Sequence, residues 1–221
     1  MEILYKDSNI VVISKPAGMP SQPDLSGDMD AMTSCKAILS SQGEKNSEIY
    51  LVHRLDRVVG GILVLARNKN ACALLSALIS AQNIEKEYLA VVSGDANGGL
   101  LRDFLYKDSR VGKSFVTDKK RPDAKEALLE YIPISKIETE KGIKTLVQIK
   151  LRTGRFHQIR AQFSSRGLPI VGDGKYGSTE REVHFPALFA SKLNFELFGK
   201  KFAFKKLPDI NKYPWSLFKY D

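Results

Sequence analysis

The chain predicts an α+β fold with a mixed, mostly antiparallel sheet flanked by helices and loops, and three observations point there. The runs Ile10-Val11-Val12-Ile13 and Ile62-Leu63-Val64-Leu65 are apolar on both faces and too short for helices, as buried strands are. Lys144 to Arg152 alternates, with Val147, Ile149 and Leu151 facing one side and Gln148, Lys150 and Arg152 the other. Ala71, Leu74, Leu75, Leu78, Ile79 and Gln82 recur at helical spacing behind Asn68, a side chain suited to cap a helix start.

The remaining elements follow in order. Ile3-Leu4-Tyr5 is a short strand, separated from Ile10–Ile13 by the turn residues Asp7-Ser8-Asn9. Lys15-Pro16-Ala17-Gly18-Met19-Pro20 interrupts regular structure, and Ser21 to Asp30 reads as an exposed loop. Met32 to Leu39 forms a short helix with Ala37, Ile38 and Leu39 inward. Tyr50-Leu51-Val52 leads into a polar loop, and Gly60-Gly61 gives the backbone freedom to re-enter the sheet. Tyr88 to Val92 is another strand. Gly98 to Asp123 reads as irregular and basic, and Lys125 to Ile137 as a strand kinked at Pro133. A helix from Arg155 to Arg166 buries Phe156, Ile159 and Phe163. Leu193–Leu197 and Phe202–Phe204 pair as a hairpin around Gly199, and the aromatic end from Trp215 to Tyr220 packs on the body. No internal repeat or linker divides the chain, so residues 1–221 read as one domain.

Lys and Arg exceed Asp and Glu by 9. Such a surplus argues for a polyanionic partner, nucleic acid first, with a basic but non-binding protein as the alternative. Cys35 and Cys72 form no CxxC pair and read as buried reduced thiols of a cytoplasmic protein. The charged start carries no signal peptide, and the apolar run between Arg57 and Arg67 falls far short of the roughly 18–20 residues of a membrane span. His53, His157 and His184 share no HxxxH or HxH spacing, so no metal site is expected.

The stretch with most chemical content is Val52-His53-Arg54-Leu55-Asp56-Arg57, an acid among bases just before a buried strand. Flanking arginines favour the charged carboxylate, and a carboxylate can act at a sugar carbon. The alternative is a structural Asp56 capping a turn or bridging Arg54 and Arg57. A two-carboxylate hydrolase is poorly served, because Glu85 and Glu87 sit on a charged turn and no acid lies between Lys150 and Arg166. That last segment carries five Lys or Arg. Thr153-Gly154 starts its helix, a geometry that favours a phosphate, and Arg160 flanks the apolar stripe where it can reach a buried carboxylate. The alternative is a solvated basic helix. Lys107 to Lys125 adds seven Lys or Arg against three Asp. Tyr88 opens its strand and could stack a base, although core is the commoner use of such a residue. The glycine-rich Gly172-Asp173-Gly174-Lys175-Tyr176-Gly177 fits no phosphate-loop pattern and reads as a turn.

Four segments in order resemble the RluA family of RNA pseudouridine synthases: Lys15-Pro16-Ala17-Gly18, His53-Arg54-Leu55-Asp56-Arg57, Lys86-Glu87-Tyr88-Leu89-Ala90-Val91-Val92, and Thr153-Gly154-Arg155-Phe156-His157-Gln158-Ile159-Arg160 with Gly167 to Asp173 after it. The resemblance runs from Ile3 to about Pro208 and implies that family's catalytic fold. It implies isomerisation of one uridine in ribosomal or transfer RNA, on a flipped-out nucleotide, without metal or organic cofactor. Asp56 would be the catalytic aspartate, Arg160 the arginine that pairs with it, Tyr88 the base-stacking tyrosine, and Arg54 the side chain that fills the gap left in the RNA. Arg57, Lys150, Arg152, Arg155, His157 and Gln158 would contact the RNA. A monomer and no N-terminal S4-like domain are expected. Val59 and Gly60 stand where the family usually has Thr-Ser, and Gln22 where it often has His, which puts those side-chain contacts in question. A non-catalytic RNA-binding protein on the same scaffold and a nucleoside or phosphodiester hydrolase are the competing readings.

Overall fold

Period-two burial and β-branched runs produce eleven strands, joined by three α-helices, in the computed structural model, which describes residues 1–44, 48–119 and 121–220. In chain order they are β1 (Glu2–Lys6), β2 (Ile10–Lys15), α1 (Ala31–Ser41), β3 (Tyr50–Leu51), β4 (Gly60–Ala66), α2 (Lys69–Ser80), β5 (Glu85–Ser93), β6 (Gly99–Asp108), β7 (Lys113–Thr117), β8 (Lys125–Thr139), β9 (Gly142–Leu151), α3 (Gln158–Ser164), β10 (Leu188–Leu197) and β11 (Lys200–Lys205). They gather into two compact units, Met1–Glu85 with Ala190–Leu207, and Lys86–Phe189 with Pro208–Asp221.

In the first unit β4 is buried along its whole length and pairs antiparallel with β2, from Ile10↔Ala66 to Lys15↔Gly61. β1 adds to β2, β3 to β4, and β10 pairs with β11 around Gly199. Asn68 caps α2 by accepting from Ala71 N at 2.8 Å. The α2 face that packs on Ile10, Val12, Ile62, Val64 and Phe195 consists of Ala71, Leu75, Leu78 and Ile79. Leu74, expected in that stripe, is 40% exposed, and Gln82 lies beyond the helix with φ 58, in the left-handed region of a C-terminal cap. In α1 the buried stripe is Ala31, Cys35 and Leu39 rather than Ala37 to Leu39: Asp30 caps the helix one residue earlier than expected, and the buried positions follow an i, i+4 phase from Ala31. Burial pushes the Cys35 thiol up to about 11, so it is an inert core group, while Cys72 is only partly buried.

The second unit is built on an antiparallel sheet in the order β5-β9-β8-β6-β7. The stretch from Gly98 to Asp123, expected to be irregular, contains the β6–β7 hairpin; exposed basic residues such as Arg102 and Lys107 mask the alternation of Leu101 and Leu105. Lys120 lies outside the described residues. The kink at Pro133 is a bulge between Pro133 and Ser135. α3 is seven residues long, not twelve, because His157 takes the left-handed conformation at φ 52 and blocks any earlier start. Every residue of α3 from Gln158 to Phe163 is buried, and Phe163 meets Tyr131 edge-on at 4.9 Å. No helix among the described residues is long and apolar enough to cross a membrane.

A buried ion pair locks this unit far from α3 in sequence. Lys144 Nζ lies 2.8 Å from Glu180 Oε1, both side chains being under 5% exposed, and the Tyr213 hydroxyl donates to the other carboxylate oxygen. Burial raises the Glu180 pKa, and the bonds from Lys144 and Tyr213 more than offset that, leaving it below the ordinary 4.5. The pair's contribution is therefore complete above that pH and is lost as acid protonates the folded carboxylate. Lys144→Met is expected to lower the free energy of unfolding by about 3–5 kcal/mol in urea titrations, because it strands a buried carboxylate, and adding Glu180→Gln is expected to recover part of it.

Candidate active site

The Asp56 turn is held from several sides within the first unit. Ser21 Oγ, buried, donates to Leu55 O at 2.9 Å and accepts from Leu55 N at 3.1 Å. Gly18 N donates to Arg57 O at 2.8 Å, and Val59 N closes the turn on Asp56 O at 2.9 Å. Lys15, with no exposed surface, sends its ammonium to Met19 O at 2.7 Å, Pro16 O at 3.0 Å and Arg57 O at 3.3 Å. The Pro-Gly segment after β2 and the turn before β4 are thus tied together beneath Asp56. Burial pushes the Lys15 ammonium down to about 7, and the neighbouring Asp56 carboxylate draws it partly back. His53 accepts from Val64 N at 3.2 Å, fixing the entry to the turn.

Arg57 does not bridge to Asp56. Its guanidinium engages Asp28, Ser26 Oγ at 3.0 Å and Asp24 at 3.9 Å, and so orders the loop expected from Ser21 to Asp30. Arg54 is exposed and makes no ion pair among the described residues. Val59, where the family pattern has a polar residue, is 2% exposed, and its backbone closes the turn that a hydroxyl would otherwise serve. Gly61 is required by contact as well as by φ 124: a Cβ there would lie 2.3 Å from Ala190 O.

In the second unit antiparallel register sorts the remaining residues by face. Tyr88 lies opposite Ile149, which lies opposite Tyr131, so the three share the face on which α3 packs. Tyr88 is 8% exposed. Arg160 forks onto Asp173, Nε to Oδ2 at 2.6 Å and Nη2 to Oδ1 at 2.8 Å, and its guanidinium lies 4.9 Å from the centre of the Tyr176 ring. The Tyr176 hydroxyl accepts from Ser114 N at 2.8 Å and meets His157 Nδ1 at 3.0 Å, and His157 stacks on Phe156. The turn reading of Gly172–Gly177 missed Asp173 and Tyr176. A usable signal existed: a buried arginine in an acid-free segment must find its carboxylate elsewhere, and Asp173 is the next acid along.

Three residues expected to contact RNA lie on the sheet face away from Tyr88 or are buried. Lys150 and Arg152 project from the face opposite Tyr88, since Lys150 sits beside Glu130 in register and Arg152 pairs with Glu130 at 3.0 Å. Gln158 is 3% exposed, its Oε1 accepting from Thr153 Oγ1 at 2.8 Å and Arg155 N at 3.0 Å, so it braces the turn. The helix start expected at Thr153-Gly154 is that braced turn, which removes the phosphate-binding helix end. Arg155 is exposed, with Nε on Glu126 O at 2.8 Å. Among the described residues no group of three or more His, Cys, Asp or Glu could hold a metal ion.

The family model for RNA pseudouridylate synthase matches residues 9–165, which include the Asp56 turn, Tyr88 and Arg160. The chain belongs to this family. Ribosomal large subunit pseudouridine synthase D of Borreliella burgdorferi is 30% identical over 219 residues, covering 96% of this chain. The chain spans 65% of that protein's length. tRNA pseudouridine synthase C of Pasteurella multocida is 30% identical over 186 residues, covering 80% of this chain and 74% of that one. The solved structure of human RNA pseudouridylate synthase domain containing 4 superposes with a TM-score of 0.77 at 23% identity over 95% of this chain and 89% of that one, which gives it the same fold.

For this pseudouridylate synthase family member the Lys15 tie is testable apart from activity. Lys15→Met removes three hydrogen bonds but also a buried charge, so the net change in unfolding free energy at pH 7 is expected to stay within about 2 kcal/mol. Amide exchange at Gly18 and Val59 should nonetheless speed by at least about tenfold, as the turn opens locally. Folded Lys15 binds its proton less tightly than an unfolded lysine, so wild type should gain stability over the variant as pH rises from 7 to 9. Unchanged protection at both amides would show that the ammonium does not hold the turn.

Proposed function

We propose that this protein is an isomerase that converts a specific uridine of ribosomal or transfer RNA to pseudouridine. The observation that carries the reading is the single carboxylate of Asp56 on a turn fixed by Lys15, Ser21 and Gly18, in a member of this family. The carboxylate acts at the ribose of the target nucleotide. The C1′–N1 bond breaks with its electron pair on N1, the uracil turns, C5 bonds to C1′, and the C5 proton is lost while N1 is protonated. Atoms and electrons balance within the nucleotide, so the reaction takes no redox partner. C1′ and N1 are inaccessible in a stacked helix, so the nucleotide is flipped out at a cost of about a few kcal/mol.

Within this reading Asp56 is the catalytic residue. Tyr88 supplies an aromatic face for the flipped base and takes part in proton removal from C5. Arg160, locked by Asp173, is the supporting cation. Arg54 fills the gap in the RNA, and Arg57, Arg155 and His157 contact its backbone. The protein works as a monomer in the cytoplasm.

Incubation with unmodified transcripts of ribosomal and transfer RNA, followed by carbodiimide-blocked primer extension, should reveal new stops at discrete uridines. Asp56→Asn should abolish them, a loss of at least about 10³-fold, while RNA binding stays within about threefold. Binding without stops from the wild type would favour the non-catalytic RNA-binding reading, and strand cleavage would favour a hydrolase.

A further inference from the structure

Two side-chain donors, Lys86 Nζ and Gln158 Nε2, border the Thr153–Arg155 turn. Lys86 lies two residues before Tyr88 on β5, and so on the same face of the sheet. The acid beside it, Glu87, points to the opposite face and takes Gln148 Nε2 at 2.5 Å. Among the described residues no carboxylate pairs with Lys86, although burial pushes its ammonium below the usual lysine range. Its Nζ borders Gly154: a Cβ on that glycine would lie 3.9 Å from it and, chain neighbours aside, meet nothing else within 4 Å. The space over the turn is therefore open and edged by a cation. The second donor is Gln158 Nε2, which is buried and has no hydrogen-bond partner, while the Oε1 of the same amide is spent on Thr153 and Arg155 of this turn. A partly desolvated ammonium and an orphaned amide N–H group at one turn call for the same thing, an anion with several acceptor oxygens.

We propose that Lys86 and Gln158 Nε2 form a phosphate site over the Thr153–Arg155 turn, taking a backbone phosphate of the RNA next to the nucleotide whose base meets Tyr88. The assignment of this anion to RNA rests on the isomerase reading. The site differs from a general basic surface in that Gly154 leaves open space beside Lys86 and the Gln158 amide is already held by Thr153 and Arg155. Lys86 is a positioning residue in this scheme: it holds the backbone and does not touch the reacting atoms.

The test uses the full chain as wild type, Lys86→Met, Lys86→Arg and Gln158→Glu, with fluorescent single-stranded oligouridylate titrated at several KCl concentrations. Lys86→Met should weaken binding about tenfold and flatten the slope of log Kd against log salt by about 0.7, the value of one phosphate on a single strand. Lys86→Arg should restore the slope. Gln158→Glu gives Lys86 a carboxylate of its own, so it should raise the melting temperature and still weaken binding, a combination that a merely structural role would not produce. On the RNA that the wild type modifies, the loss in Lys86→Met should fall on KM more than on kcat. Equal slopes in wild type and Lys86→Met overturn the site. If Lys86→Met does not fold, wild-type affinity in Gln158→Glu overturns it instead. A wild type that makes pseudouridine with a slope indifferent to Lys86 refutes the phosphate site and keeps the isomerase. A wild type that makes none but shows the Lys86-dependent slope does the reverse.

Discussion

A lysine ammonium buried at the end of β2 is the constraint on which the Asp56 turn depends. Lys15 has no exposed surface and, among the described residues, no carboxylate bonded to it; three carbonyls from both sides of the turn take its ammonium. Such a group is expensive to bury, and burial shows in its depressed affinity for a proton. The expense has a structural return. An ammonium with three acceptors at fixed positions is a corner brace, and a methylene or hydroxyl could not join the Pro16–Met19 segment to Arg57 in the same way. Ser21 does the neighbouring job with a single oxygen, serving Leu55 as donor and acceptor. The side chain of Asp56 is thereby carried on a backbone whose polar groups are already committed, so little of that backbone is free to reorganise when charge develops nearby.

The second unit uses the opposite economy. Arg160 is charged and buried, and here a carboxylate answers it in a two-bond fork. Asp173 comes from the turn that follows α3, and Tyr176 of the same turn covers the guanidinium and holds His157. His157 in turn sits in the left-handed region, a conformation that needs such outside support in a non-glycine residue. The short α3 is therefore a consequence of this packing: the backbone leaves helical geometry before Gln158 so that Thr153 and Arg155 can close on the Gln158 amide.

What was legible in the sequence divides along the same physical line. Buried strands such as β4, the alternation of β9 and the Asn68 cap of α2 depend on side-chain chemistry within a few residues, and they stand as expected. Their fine phase does not, since Leu74 and Ala37 look apolar enough to be buried yet face water once the cap fixes the rotation of each helix. The β6–β7 hairpin was obscured because its polar residues carry charge, and charge density says nothing about backbone pairing. For the site, Asp56 and Arg160 were visible as an unusual acid and an unusual base. Asp173 was not, because its role is set by a partner in another element. Lys150 and Arg152 show the limit most clearly: their own alternation was read correctly, but only the register with β5 says which side of the sheet holds Tyr88.

That limit also changes how the net charge of the chain should be weighed. Several of the basic side chains are engaged locally, as in Arg57 with Asp24 and Asp28, Arg102 with Glu126, Arg152 with Glu130 and Arg166 with Asp103. An arginine in such an exposed pair can still meet a phosphate, but it first gives up an interaction worth up to about 1 kcal/mol, so its net pull on RNA is small and falls with salt. A cation held in place without a partner has no such exchange to make. Part of its desolvation is already met by burial, so more of its interaction with an arriving phosphate adds to binding. The residues that matter for a polyanion are then few and are identified by what they lack, which the composition of the chain cannot express and the arrangement around Gly154 can.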